Sequence, residues 1–201
     1  MLAKVMGYAL NGLEGFPVDV EVDVHNGLPV FEIVGLPDTA VKESKERVRS
    51  AIKNSGRTFP VTRITVNLAP ADMKKEGAYL DLPIAIGILK TYSAGFPSDI
   101  TDYVLLGELS LDGSIRAVKG ILPLLISAFN HGYKQFIIPK ENEKEASYIE
   151  NINVYAASNL NQVIEHLKGT DLLPVVEKRK YLNGNKPINL CMTDDTWTCR
   201  G

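Results

Sequence analysis

Cysteine is almost absent from this chain. Its two residues, Cys191 and Cys199, sit close together near the C-terminal end, with no His or further Cys at metal-ligand spacing. That excludes a disulfide framework, gives a zinc site no support, and fits a reducing, cytoplasmic compartment. A strong charge of one sign is missing too: 22 Lys and Arg stand against 24 Asp and Glu, for a formal net charge of −2. The molecule is therefore no polycation, and any contact with nucleic acid has to come from a local patch. No run reaches the ~18 consecutive apolar residues of a membrane span. The opening Met1-Leu2-Ala3-Lys4-Val5 is soon broken by Gly7 and Asn11, too early for a secretory signal. Internal repeats and low-complexity tracts are absent. So is any Gly-x-x-x-x-Gly-Lys-Ser/Thr run; Gly12, Gly15, Gly27 and Gly35 are scattered and read as turn residues. A phosphate cradle of successive backbone amides and a lysine is thereby excluded.

What is present is a globular composition, 45% apolar and 23% charged, enough for a sizeable core. Residues 4–10 read as a strand. Residues 18–24 alternate strictly between Val and acidic or polar residues, the mark of a half-buried strand. Asn26-Gly27 is a turn signal before a strand over 29–36, so these two strands are expected to pair as a hairpin. A helix follows, capped by Asp38 or Thr39, with Val41, Ser44, Val48, Ala51 and Ile52 on one face and Gly56 at its end. A strand over 63–68, a charged loop over 73–77 and a buried helix over 80–92 come next, with Pro83 placed in that helix's first turn. Residues 103–115 read as a second hairpin turning at Asp112-Gly113. The rest alternates helix (120–130), strand (135–138), short helix (143–149), strand (153–156) and helix (159–167). This predicts an α/β fold, a mixed sheet with packed helices. From Gly169 the periodicity stops, residues 182–187 resemble a linker, and the end from Thr193 to Gly201 carries no usable pattern.

Three segments carry a family resemblance. One runs from Gly35-Leu36-Pro37-Asp38-Thr39-Ala40 to Ala51. The second is Asn67-Leu68-Ala69-Pro70-Ala71-Asp72 with Lys75-Glu76-Gly77-Ala78-Tyr79-Leu80-Asp81-Leu82-Pro83-Ile84-Ala85. The third is Gly107-Glu108-Leu109-Ser110-Leu111-Asp112-Gly113 continuing to Gly120. In this order they resemble the N-terminal domain of the bacterial magnesium-chelatase-like AAA+ ATPases of the ComM/YifB type. The resemblance implies a Lon-protease-like domain over residues 1–168, of the fold shared with ribosomal protein S5 domain 2. Residues 169–201 would then be a linker or tail leading toward an AAA+ ATPase module. It further implies DNA and the ATPase module in cis as partners, self-association through the full-length protein, and a link to branch migration in natural transformation. ATP and Mg are expected only in that module, and no cofactor or metal in this chain.

A Lon-type domain would carry a Ser–Lys dyad, in which a desolvated lysine activates a weak hydroxyl nucleophile. On the matching segments, Tyr79 stands at the Ser position and Leu122 at the Lys position, while Lys119 precedes the helix. Leucine accepts no proton, so the chain is expected to be non-catalytic, with Tyr79 starting and capping a helix. Lys42, Lys45, Arg49 and Lys53 fall three or four apart on the helix stripe beside its apolar face, with Arg47 and Arg57 adding charge. Such a stripe either neutralises phosphates or is a solvated face paired with Glu43 and Glu46. Asp19, Glu21 and Asp23 lie in a row too open for one ion and read as a solvent face, and His25, His131 and His166 as surface or cap residues. The expectation is a DNA-contacting accessory domain; the alternative is an assembly domain for an ATPase ring without DNA contact.

Overall fold

The computed structural model describes residues 1–12, 14–179, 189–193 and 196–200. Strand β1 (Leu2–Asn11) is apolar on both sides: Val5 and Ala9 enter one core, Met6 and Tyr8 another. A strand buried on both faces belongs in the middle of a covered sheet, and that is its place. Strand β2 (Glu14–His25) runs antiparallel to it, from Asn11 opposite Glu14 to Leu2 opposite Asp23. The expected alternation holds: Val18, Val20 and Val22 are buried, and Asp19, Glu21 and Asp23 face the other way. Gly15 belongs to this strand rather than to a turn; a Cβ there would meet the Tyr8 ring at 2.4 Å.

Strand β3 (Val30–Val34), helix α1 (Thr39–Asn54) and strand β4 (Arg63–Ala69) form a crossover unit in which β3 and β4 are parallel neighbours. The expected hairpin of the second and third strands is therefore not formed, because β4 lies between them and pairs antiparallel with β2. A 3-10 turn (Ala78–Leu80) leads into helix α2 (Asp81–Tyr92), with Pro83 in its first turn. Strand β5 (Tyr103–Leu105) joins the main sheet in parallel beside β1. The hairpin expected from residue 103 is thus confined to two short strands, β6 (Glu108–Leu109) and β7 (Ile115–Arg116), around Asp112-Gly113.

Helix α3 (Ile121–Asn130), strand β8 (Gln135–Pro139), helix α4 (Glu143–Ala146), strand β9 (Asn153–Ala157) and helix α5 (Leu160–Lys168) complete the unit. Helix α4 ends earlier than the sequence pattern suggests. The seven-stranded sheet is ordered β3-β4-β2-β1-β5-β8-β9, with β5, β8 and β9 parallel. It is mixed, and the α/β class is as expected. Helices α1, α2 and α5 cover one face over the larger core; α3 and α4 cover the other face over β1, the start of β2, β5, β8 and β9. The remaining half-face, on β2, β4 and β3, presents mainly polar residues, Asp19, Glu21, Asp23, Glu32, Arg63, Thr65 and Asn67, with Val30 and Val34 at its β3 margin.

Past the left-handed cap Gly169 the chain stays on the domain. Val175 bridges Tyr155, the Val176 amide donates to the Val154 carbonyl at 2.8 Å, and Val176 is buried. Strands β10 (Asn189–Thr193) and β11 (Thr196–Arg200) form a separate antiparallel ribbon. The linker-like residues 182–187 lie outside the described residues. No helix among the described residues is long and apolar enough to cross a membrane.

Candidate functional site

Helix α1 is fixed at both ends by local chemistry. The Asp38 carboxylate accepts the Val41 amide at 2.8 Å, satisfying one of the free N–H groups at the helix start. At the other end Ser55 caps and Gly56 takes φ 74°. Val41, Ser44, Val48, Ala51 and Ile52 face the core as expected. At about 100° per residue, this face leaves two flanks. Lys42, Lys45, Arg49 and Lys53 occupy one; Arg47 occupies the other.

The first flank is open. The Arg49 guanidinium lies 5.3 Å from the centre of the Phe59 ring, and Phe59 packs on Phe31 of β3 at 5.9 Å. Among the described residues, no acidic side chain lies within ion-pair distance of Lys42, Lys45, Arg49 or Lys53. The Glu–Lys pairs of the solvated-face alternative are thus not formed at this flank. The other two basic residues are engaged elsewhere. Arg57 donates to Glu165 at 2.8 Å and to Asn161 at 3.3 Å. Arg47 donates to both carboxylate oxygens of Asp81, at 2.6 and 3.0 Å, and to the Ala40 carbonyl at 2.9 Å. Asp81, buried at the start of α2, also accepts the Leu109 amide at 3.2 Å. Burial pushes its carboxyl up to about 6, and Arg47 works against that rise.

The two dyad positions are set at the starts of different helices. Tyr79, in the turn before α2, packs against both cores. Its hydroxyl accepts the Leu10 amide at 3.4 Å and its carbonyl accepts the Gly107 amide at 2.9 Å; burial raises the phenol's pKa. Its side chain does not cap α2, contrary to expectation. Leu122 lies in the first turn of α3, partly exposed, and Lys119 is exposed before that helix. Leu10 links the two regions: its amide meets Tyr79, and its side chain lies 3.7 Å from where a Cβ on Gly120 would stand.

Two buried groups were hidden from sequence reasoning. Lys75, inside the expected charged loop, is fully buried, with Nζ donating to the Pro70 carbonyl; burial lowers its pKa. Its backbone ties the two N-terminal motifs, accepting the Asp38 amide at 3.0 Å and donating to the Leu36 carbonyl at 3.1 Å. His166 is buried too, not a surface residue. It accepts the Leu173 amide through Nδ1 at 3.1 Å and packs on Tyr155 and Tyr103, and burial lowers its pKa. His25 and His131 are exposed, and His131 caps α3. The acidic row is engaged by Lys4, Asn67 and His25, and no three metal-ligating side chains cluster among the described residues.

The comparisons with known proteins agree with the motifs. The model of the family "Subunit ChlI of Mg-chelatase" matches residues 20–142. The chain is 40% identical over 196 residues to "Competence protein ComM" of Haemophilus influenzae, covering 96% of this chain and 38% of that protein. It is 43% identical over 172 residues to "Uncharacterized protein YifB" of Escherichia coli, covering 86% of this chain and 34% of that protein. A Lon protease of Bacillus thuringiensis is 24% identical over 172 residues, 80% of this chain and 21% of that protein. The chain belongs to the magnesium-chelatase ChlI-like family, and within it to the ComM/YifB type. It spans somewhat over a third of the length of these ComM and YifB relatives.

Proposed function

We propose that this chain is a non-catalytic, DNA-contacting accessory domain of a ComM-type AAA+ ATPase, with the fold of the Lon-protease domain and ribosomal protein S5 domain 2. The observation that carries the DNA reading is the unpaired flank of α1. Lys42, Lys45, Arg49 and Lys53 form a row of cations with no carboxylate against it among the described residues, and such a row releases counterions when it meets phosphates. Arg47 and Arg57 do not belong to this interface, since each is held by a carboxylate of the domain. The name of the Haemophilus relative, a competence protein, is in keeping with a role on incoming DNA during transformation and recombination. Tyr79 and Leu122, at the positions where the Lon resemblance would place the dyad, support a non-catalytic role. ATP and Mg would act in a module outside this chain, in the cytoplasm, with ring assembly carried by the longer protein.

Binding of the 201-residue chain to single-stranded and branched DNA at several salt concentrations tests this reading. Replacement of Lys42, Lys45 and Lys53 by Glu should weaken binding at least about tenfold and flatten the salt slope by roughly one unit per lost contact. No binding at low salt would overturn it. Self-association with concentration in that case would favour the assembly reading.

A further inference from the structure

The outer edge of β3 has no strand partner among the described residues. Sheet edges are ordinarily blunted by charge or proline. Here a proline, Pro29, stands only before the strand, and the strand's one charged residue, Glu32, is turned to its neighbour and paired with Arg63 at 3.0 Å. Leu28 just before the strand and Val34 at its end are exposed, at 84% and 45%.

Helix α1 runs back along this strand, because it leaves the end of β3 and returns to the start of parallel β4. The stacking of Arg49 on Phe59 and of Phe59 on Phe31 places the lysine flank on the β3 side; Arg47, on the opposite flank, reaches α2. The lengths agree. From Lys42 to Lys53 the helix rises about 16 Å, and β3 spans about 13 Å. Side chains on one face of a strand recur every ~6.6 Å, and Lys45 and Lys53 stand ~12 Å apart along the helix, close to two such steps. A nucleic-acid backbone has no alternating N–H and C=O groups to satisfy a strand edge, whereas a polypeptide does.

We propose that the open edge of β3 and the lysine flank of α1 together form a docking site for an extended acidic segment of a protein partner. The segment adds to β3 as a strand and sets alternate carboxylates against Lys42, Lys45 and Lys53. Main-chain hydrogen bonds supply affinity, and the cation row selects the charge.

The test uses the full 201-residue chain and a fluorescein-labelled peptide of about eight residues alternating Glu and Val. A second peptide of the same sequence has every other amide N-methylated, which keeps its charge and removes its strand pairing. The first peptide should bind in a salt-dependent way and slow amide exchange at Val30–Val34. The N-methylated peptide, and the Lys45→Glu/Lys53→Glu variant with unchanged circular dichroism, should each weaken binding at least about tenfold. Equal binding of the two peptides, binding untouched by the charge reversals, or no peptide binding would each overturn the proposal. DNA binding that persists while the peptide fails would assign the cation row to phosphates alone, so failure here is separable from failure of the DNA reading.

Discussion

Arg47 and Arg49 stand two residues apart on α1, yet their environments are opposite. Arg47 reaches inward across the α1–α2 junction, where the Asp81 carboxylate meets it with two hydrogen bonds. Arg49 lies along the Phe59 ring, with no carboxylate within ion-pair distance among the described residues, in a row with three lysines. One flank uses its cation to join helices; the other leaves its cations without a carboxylate among the described residues. Lys75 is a third case, a buried cation whose Nζ donates to the Pro70 carbonyl; burial lowers its pKa, and the nearby Asp72 charge works against that. Being basic thus says little about function here. What separates the cases is whether the fold supplies a carboxylate.

The sharpest way to break this contrast is Asp81→Ala. It leaves Arg47 with only the looser contact to Glu43 at 4.0 Å and the buried Leu109 amide without an acceptor, and it should cost about 3 kcal/mol by urea unfolding. A loss under about 1 kcal/mol would mean that the junction is no stronger than a surface pair. The pH dependence sharpens the same point. The folded value of Asp81 lies above the 3.8 of a free carboxyl. Ionising it therefore costs the folded state more than the unfolded chain, so the fold loses stability as pH rises from about 4 through about 6 and then levels off, with the Arg47 pair still in place above that range. A carbon-13 titration should find its midpoint near 6, and Arg47→Met should move it higher. Lys75→Met removes a cation that has no carboxylate within ion-pair distance among the described residues and only a more distant attraction to Asp72, so it should change stability by no more than about 1 kcal/mol in either direction; a loss like that of Asp81→Ala would erase the distinction. Arg49→Ala should cost only about 0.5–1 kcal/mol, the worth of its ring contact. Lys53→Ala should stay within about 0.5 kcal/mol.

Much of the fold was legible because its signals are local. The cap at Asp38, the apolar face from Val41 to Ile52 and the left-handed Gly56 lie in one short stretch, and α1 follows from them. The β2–β3 order is not legible for the converse reason. Asn26-Gly27 marks a change of direction, but the crossover through α1 and a long-range register place β4 between the two strands. The site divided in the same way. The lysine stripe is visible from spacing alone. Arg47's engagement depends on Asp81, 34 residues on. Lys75 looked solvated by composition, and only the closure of its loop against Leu36 and Asp38 encloses it. His166 is enclosed by Tyr103, Tyr155 and Leu173, which come from three separate segments. Tyr79 and Leu122 stood out only through family resemblance, and nothing nearby in sequence announced the contact with Leu10.

The place of β1 has a consequence for how the chain folds. It precedes every other strand, yet it occupies the fourth position of seven. One edge is filled almost at once by β2, while the other waits for β5, which begins only at Tyr103. Closing so long a loop before a parallel pair forms is slow. Until then the β1–β2 ribbon exposes an apolar edge, and this is the interval in which a nascent chain is most open to pairing with its neighbour.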